Sequence, residues 1–307
     1  MDKQLGSGEN PDKKPDKGKL ASYALVMLPV IFWGISFIST KVVLQEIPPV
    51  SIAFFRQFIA LVPLFIWVLA TKTSLRIKPG DLLLLAGSSF FGIVLYFVFE
   101  NNGLRFTTAS SASMIVAAVP IFTVITEALF FKMKVNLKII LCILVSIAGV
   151  YLVISVNGKL DFSSGTFLGN MLIMGAMISW VVYTVLSRGL GSRYASLVIT
   201  VYQTAISSIL FIPFVIPEIQ SWKPVTTTSL LNLIYLGVFC SALSYFAFLY
   251  AIKRLGPTVS SAFLNLIPVV SVITGFLVLD ERLALVQYFG MALILFSLFR
   301  LSKRPGE

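Results

Sequence analysis

Beyond residue 20 the chain is an almost unbroken succession of apolar stretches, separated by short polar turns. A helix of about 20 apolar residues crosses the roughly 30 Å hydrocarbon core of a bilayer, and a chain built from such stretches leaves no length for a separate soluble domain. Charged residues make up only 12% of the sequence, against about 25% in soluble proteins. The sequence therefore predicts a membrane protein.

The apolar stretches predict an all-α membrane protein with ten transmembrane helices. Their approximate limits are residues 21–44, 50–71, 81–101, 108–131, 136–156, 166–187, 195–217, 228–251, 257–279 and 284–301. Residues 1–20 mix charged residues with Pro and Gly and have no apolar face. We predict that they form a disordered cytoplasmic tail rather than a signal peptide.

Basic residues indicate the orientation, because insertion disfavours their translocation across the membrane. With the N-terminus inside, most of the 24 Lys and Arg residues fall in inner segments, and only Lys41 and Arg56 fall within spans. Both termini are therefore predicted to be cytoplasmic, with the protein in the cell (inner) membrane. The net charge of +11 follows from this topology and requires no nucleic-acid partner.

An internal repeat relates residues 21–156 to residues 166–301. One constant shift along the chain aligns Trp33 with Trp180, Lys41 with Arg188 and Arg56 with Gln203. Each copy is predicted to hold five spans. Because five is an odd number of crossings, the copies insert with opposite orientations, and inverted repeats are a common basis for alternating access in transporters.

Three segments carry a family resemblance: FWGISFISTKVVLQEIPPVSIAFFRQFIA, FENNGLRFTTASSASMIVAAVPIF and AIKRLGPTVSSAFLNLIPVVSVITGFLVLDERL. Together with the ten spans and the repeat, they resemble the EamA family of the drug/metabolite transporter superfamily over residues 21–301. The resemblance implies a ten-helix secondary carrier of the bacterial inner membrane, often an exporter of amino acids or other small metabolites. The chain departs from the family pattern in its first half, so the acidic residue of that pattern is present only as Glu281.

Composition excludes several other functions. The chain has no histidine, so histidine-based catalysis and histidine metal sites are excluded, and it has no GxxxxGK[ST] loop for ATP. We predict a transporter rather than an enzyme, with no cofactor or metal, whose partners are a small-molecule substrate and the lipid bilayer. The alternatives are efflux of cationic or amphipathic drugs, and a lipid scramblase or sensor-like bundle.

Charged residues within spans are the first candidates for a substrate site. Trp33, Phe37 and Lys41 recur at every fourth position and share one helical face. We interpret that face as a cavity wall, and the alternative is that Lys41 snorkels to the outer headgroups. Arg56 and Glu100 lie at a similar depth, and we interpret them as an ion pair, with independent snorkelling as the alternative.

These three ionisable groups leave one net positive charge beside aromatic residues. That balance predicts a small metabolite with an anionic group beside an apolar part, such as a zwitterionic amino acid. Other polar and aromatic residues complete the predicted substrate site, although such side chains also pack against lipid or neighbouring helices. They are Tyr96, Trp180, Tyr183, Thr184, Tyr202, Gln203, Tyr245 and Asn265. Pro120 and Pro268 lie inside spans four and nine and are predicted to be hinges, with static kinks as the alternative.

Overall fold

The computed structural model describes residues 17–119, 121–122, 137–154, 164–255, 263–264 and 266–302. Within these ranges the structure is helical and contains no strand. Residues 1–16 of the predicted tail lie outside the described residues, and the first helix begins at Lys17.

The described helices fall along the predicted spans. In the first half they are α1 (Lys17–Val43), α2 (Pro49–Thr71), α3 (Leu82–Ser89), α4 (Tyr96–Leu104), α5 (Ala109–Val116) and α6 (Leu137–Ile154). In the second half they are α7 (Gly165–Gly191), α8 (Ser196–Val215), α9 (Thr227–Tyr235), α10 (Ser244–Leu255), α11 (Ile267–Leu279) and α12 (Leu285–Ser302). Helices α5 and α11 account for part of the predicted spans 108–131 and 257–279. The hydroxyls of Thr108, Ser164 and Thr226 begin three of these helices by accepting a hydrogen bond from a backbone N–H three residues later.

Six segments are long and apolar enough to cross a membrane. They are Ala24–Val43, Pro49–Thr71, Pro79–Phe106, Gly165–Gly191, Ser196–Ser221 and Thr227–Ala251. Three shorter apolar helices are Leu137–Val153, Ile267–Leu279 and Leu285–Ser297. The prediction of an all-helical, multi-spanning protein is confirmed for the described residues, with six clear spans.

The third and eighth spans differ from the uninterrupted helices that the sequence predicts. A π-helical segment, Phe90–Leu95, joins α3 to α4, and another, Leu236–Leu243, joins α9 to α10. Each contains a glycine at a close helix approach: a Cβ at Gly92 would overlap the Tyr183 ring, and one at Gly237 would lie 2.6 Å from Ile59. Wide turns of this kind are rare and often occur at functional sites.

Helix contacts repeat between the two halves. Helix α1 packs against α10 and α11, while α7, the counterpart of α1, packs against α4 and α3. Three further pairs join a helix to its own counterpart: α2 with α8, α5 with α11 and α6 with α12. The two halves therefore contact each other through several pairs of helices.

Candidate functional site

An aromatic cluster lies where the two halves meet, and it consists of Trp33, Tyr96, Trp180, Tyr183, Tyr245 and Phe248. Trp33 and Trp180, which the repeat aligns, contact each other edge to face with ring centroids 5.8 Å apart. Tyr96 and Tyr183 lie 5.4 and 4.9 Å from Trp180, and Tyr245 lies 5.6 Å from Trp33. These spacings are those of favourable aromatic pairs, so the cluster is a packed apolar wall.

Arg56 borders the aromatic cluster and is only 1% exposed. Its Nε donates to the Ser241 hydroxyl at 3.0 Å, and its guanidinium lies over the Phe97 ring, 4.1 Å from the centroid. Its Nη1 is buried and has no hydrogen-bond partner. Because Ser241 belongs to the π-helical segment of the second half, both halves position this cation.

Glu100 lies about one helical turn after Phe97, whose ring the Arg56 guanidinium covers, and is 5% exposed. Its Oε1 accepts a hydrogen bond of 2.7 Å from the Tyr96 hydroxyl, one helical turn earlier. The Arg56–Glu100 ion pair that the sequence suggests is not formed as a direct contact in the described structure. Ser241 and the face of Phe97 hold the guanidinium instead, although the two opposite charges still interact through space.

The first-span face that the sequence treats as one wall passes through three environments. Trp33 joins the aromatic cluster, and its indole nitrogen donates to the Cys240 carbonyl at 2.9 Å. Phe37 is buried in an apolar core that Trp33 also contacts. Lys41 is half-buried and interacts electrostatically with Glu281.

Glu281 is tied to the start of α5. Its carboxylate accepts hydrogen bonds from the backbone N–H groups of Ala109 and Ser110, at 2.9 and 3.0 Å, and from the Ser110 hydroxyl at 2.7 Å. A carboxylate at this place caps the helix and complements its dipole. The acidic residue that the sequence shows in one half only therefore contacts the other half.

Three predicted site residues form hydrogen bonds with other parts of the protein, outside the aromatic cluster. Thr184 donates to a carbonyl of its own helix, Tyr202 donates to the Leu75 carbonyl at 2.7 Å, and Gln203 donates from Nε2 to the Ser88 hydroxyl at 2.9 Å. None of the three belongs to the aromatic cluster as the structure describes it.

Asn265 and Pro120 lie outside the described residues. Pro268 lies in the first turn of α11, where a missing backbone N–H breaks no helical hydrogen bond. Its role as a hinge stays a prediction.

Sequence reasoning missed Phe97 and Phe248. A phenylalanine in an apolar span carries no signal of its own, because most such residues face lipid or core. The available signal was spacing: Phe97 and Phe248 each lie three residues from a predicted site residue, Glu100 and Tyr245, and so share its helical face.

The site combines aromatic walls, a cation with a donor that lacks a partner, and a nearby carboxylate, all enclosed by helices from both halves. Such a site suits a small ligand that carries charge beside an apolar part.

The fold defines a multi-spanning helical membrane protein built from two related halves, with the buried candidate site between them. The EamA-like transporter family matches residues 20–155 and again residues 167–302. The chain belongs to this family, which confirms the resemblance and the two-repeat architecture and indicates a transporter rather than an enzyme.

Named relatives cover nearly the whole chain. An uncharacterized transporter of Archaeoglobus fulgidus is 29% identical, with 85% of this chain and 90% of the relative covered. A protein of Escherichia coli K12 named "Probable amino-acid metabolite efflux pump" is 28% identical over 90% of this chain and 92% of its own length. A "Probable terminal-alkyne amino-acid exporter" of Streptantibioticus cattleyicolor is 25% identical over 85% and 86%.

A solved crystal structure shares the fold. It superposes with a TM-score of 0.69 at 16% identity and covers 92% of this chain and 96% of its own.

Proposed function

We propose that this protein is a secondary transporter that exports small metabolites such as amino acids across the cytoplasmic membrane by alternating access. The observation that carries the proposal is the buried Arg56 guanidinium, whose Nη1 has no partner beside the aromatic cluster. A buried donor without a partner costs free energy, and more so when it is charged. A ligand carboxylate supplies the missing acceptor, and its geometry matches the guanidinium fork.

The relatives support amino acids as the substrate class. Two of them are named for the efflux or export of amino acids or their metabolites. Their names also support outward transport as the physiological direction.

The proposed architecture is ten spans in two inverted five-helix repeats with both termini in the cytoplasm. The paired helix contacts and the double family match support it. Single cysteines before residue 16 and after residue 303, in a variant without Cys142 and Cys240, test the topology in intact cells. Both should resist a membrane-impermeant maleimide, and labelling of either one contradicts the topology.

Residues outside the aromatic cluster remain proposed substrate contacts for other states of the cycle. Alternating access moves the two halves relative to each other, so Lys41, Thr184 and Gln203 need not face the ligand in every state.

Uptake by proteoliposomes tests the proposal. An amino acid should be carried at least about tenfold faster than its decarboxylated amine, because a buried charge pair typically contributes about 2–5 kcal/mol. Arg56→Gln should remove this preference. Arg105→Gln is the matched control, because Arg105 is exposed and its guanidinium lies 5.8 Å from the Phe106 ring. Equal transport of acid and amine in the wild type would contradict the proposal.

Efflux of cationic drugs is the second candidate, and the buried Glu100 beside the aromatic rings favours it. Aromatic faces and a carboxylate both attract organic cations. In that case the amine should be carried as well as the amino acid, and Arg56→Gln should have no effect.

A further inference from the structure

We propose that Glu100, held by Tyr96, binds the ammonium group of the substrate, so that Arg56 and Glu100 together select zwitterionic amino acids over singly charged analogues. This inference rests on the proposed function and extends it. Binding the carboxylate of the substrate requires only Arg56, whereas binding its ammonium group requires Glu100.

The surroundings of Glu100 support a ligand-binding role. The side chain is 5% exposed inside a membrane-spanning segment, where a carboxylate is costly unless it pairs with a cation or with several donors. Its Oε1 accepts the single hydrogen bond from Tyr96, and Oε2 accepts none among the described residues. One hydrogen bond is fewer than an ionised carboxylate can accept.

The hydrogen bonds of Arg56 do not satisfy the carboxylate of Glu100. The two opposite charges interact, yet Arg56 directs its Nε to Ser241 and leaves Nη1 without a partner. Each group thus keeps at least one polar atom without a hydrogen bond among the described residues. A zwitterion satisfies both at once, since its carboxylate accepts from Nη1 and its ammonium offers three donors to Glu100.

The aromatic cluster fixes which end of the ligand lies where. Tyr96 joins Glu100 to the cluster, because its hydroxyl bonds the carboxylate while its ring lies 5.4 Å from Trp180. The charged end of an amino acid therefore lies against Arg56 and Glu100, and its side chain extends toward Trp33 and Trp180. An apolar or aromatic side chain suits those walls.

Three probes of similar size separate the two charges: phenylalanine, 2-phenylethylamine, which lacks the carboxylate, and 3-phenylpropionate, which lacks the ammonium. Binding to the full-length protein in detergent is measured by ligand-induced thermal stabilisation and titration calorimetry. The wild type should bind phenylalanine at least about tenfold more tightly than either analogue.

Glu100→Gln should reduce phenylalanine affinity about tenfold, to the level of 3-phenylpropionate, whose own binding should not weaken. Arg56→Gln should do the reverse and bring phenylalanine to the level of 2-phenylethylamine. Tyr96→Phe keeps the ring and the carboxylate and removes one hydrogen bond, so it provides a milder test if Glu100→Gln does not fold. It should weaken phenylalanine a few-fold and leave 3-phenylpropionate unchanged. Glu46→Gln, outside the site, is the control for loss of a carboxylate.

Two outcomes overturn the inference in distinguishable ways. If the wild type binds phenylalanine and 3-phenylpropionate equally well, and neither Glu100→Gln nor Tyr96→Phe changes their ratio, Glu100 is only a distant counterion of Arg56. The proposed amino-acid transport then stands without it. If no probe binds, or 2-phenylethylamine binds best, the proposed function fails and the inference fails with it.

Discussion

Arg56 and Gln203 occupy the same position of the two halves, in α2 and α8, and both are 1% exposed. The Gln203 amide nitrogen donates to the hydroxyls of Ser88 and Ser187, at 2.9 and 3.4 Å, and so joins neighbouring helices. Arg56 donates to one hydroxyl, that of Ser241, and its Nη1 is buried without a partner, as is the Oε1 of Gln203. The repeat therefore places a buried polar side chain at the same position of both halves, and only the first half carries a charge there.

The largest expected effect comes from placing the charge in the wrong half. Gln203→Arg puts a buried guanidinium beside neutral serine hydroxyls, and an uncompensated buried charge typically costs about 3–5 kcal/mol. We expect a large fall in the thermal unfolding temperature in detergent. Gln203→Met, of similar size and neutral, is the control and should cost only about 1–2 kcal/mol for the two lost hydrogen bonds. Equal stability of the two variants would show that both halves accommodate a cation.

The glycines of the π-helical segments should give the next largest effect. A Cβ at Gly92 would overlap Tyr183, a member of the aromatic cluster, whereas one at Gly237 would meet Ile59 and the Arg56 carbonyl, at 2.6 and 3.0 Å. Because overpacking costs about 1–3 kcal/mol, both alanine variants should be destabilised. Gly92→Ala should in addition weaken substrate binding by displacing Tyr183, and Gly237→Ala should do so by displacing Arg56. Unchanged binding in either variant would separate that π-helical segment from the site.

These comparisons show what the sequence predicts well and what it does not. Span positions follow from hydrophobic length, so Pro49–Thr71 was predicted to within one residue at its N-terminal end. Burial of Arg56 and Glu100 follows from the cost of charge in lipid. Their partners do not follow, because the contact between Arg56 and Ser241 joins residues 185 positions apart and depends on how the halves pack. Helical periodicity places Trp33, Phe37 and Lys41 on one face but does not give their neighbours, since a face long enough to cross the membrane contacts more than one helix.

The two aligned tryptophans offer a smaller test. Trp33 donates its indole N–H to the Cys240 carbonyl at 2.9 Å, while Trp180 makes ring contacts and no indole hydrogen bond among the described residues. Trp33→Phe should therefore cost about 1 kcal/mol more than Trp180→Phe, as expected for one hydrogen bond. The free energy of unfolding in mixed micelles measures the difference. Equal costs would mean that ring packing alone decides the contribution of both residues.

The smallest expected effect concerns a loop contact that also has a counterpart in the other half. Glu46, before α2, accepts hydrogen bonds from the Thr226 backbone N–H and hydroxyl, both 2.8 Å, at the start of α9. Asp81, at the start of α3, accepts hydrogen bonds from Tyr194 at 2.6 Å and from Arg193, both in the loop before α8.

The Thr226 N–H, together with hydroxyl donors, holds the pKa of Glu46 below its usual value. The carboxylate therefore stabilises the fold above the usual pKa of about 4.3, and this contribution is lost as the pH falls through the lowered pKa. Since Glu46 is only partly buried, solvent screening keeps the effect small. The unfolding temperatures of the wild type and Glu46→Gln should differ slightly at pH 7 and converge in acid. A difference that persists unchanged at low pH would assign the effect to the shape of the loop rather than to the charge of Glu46.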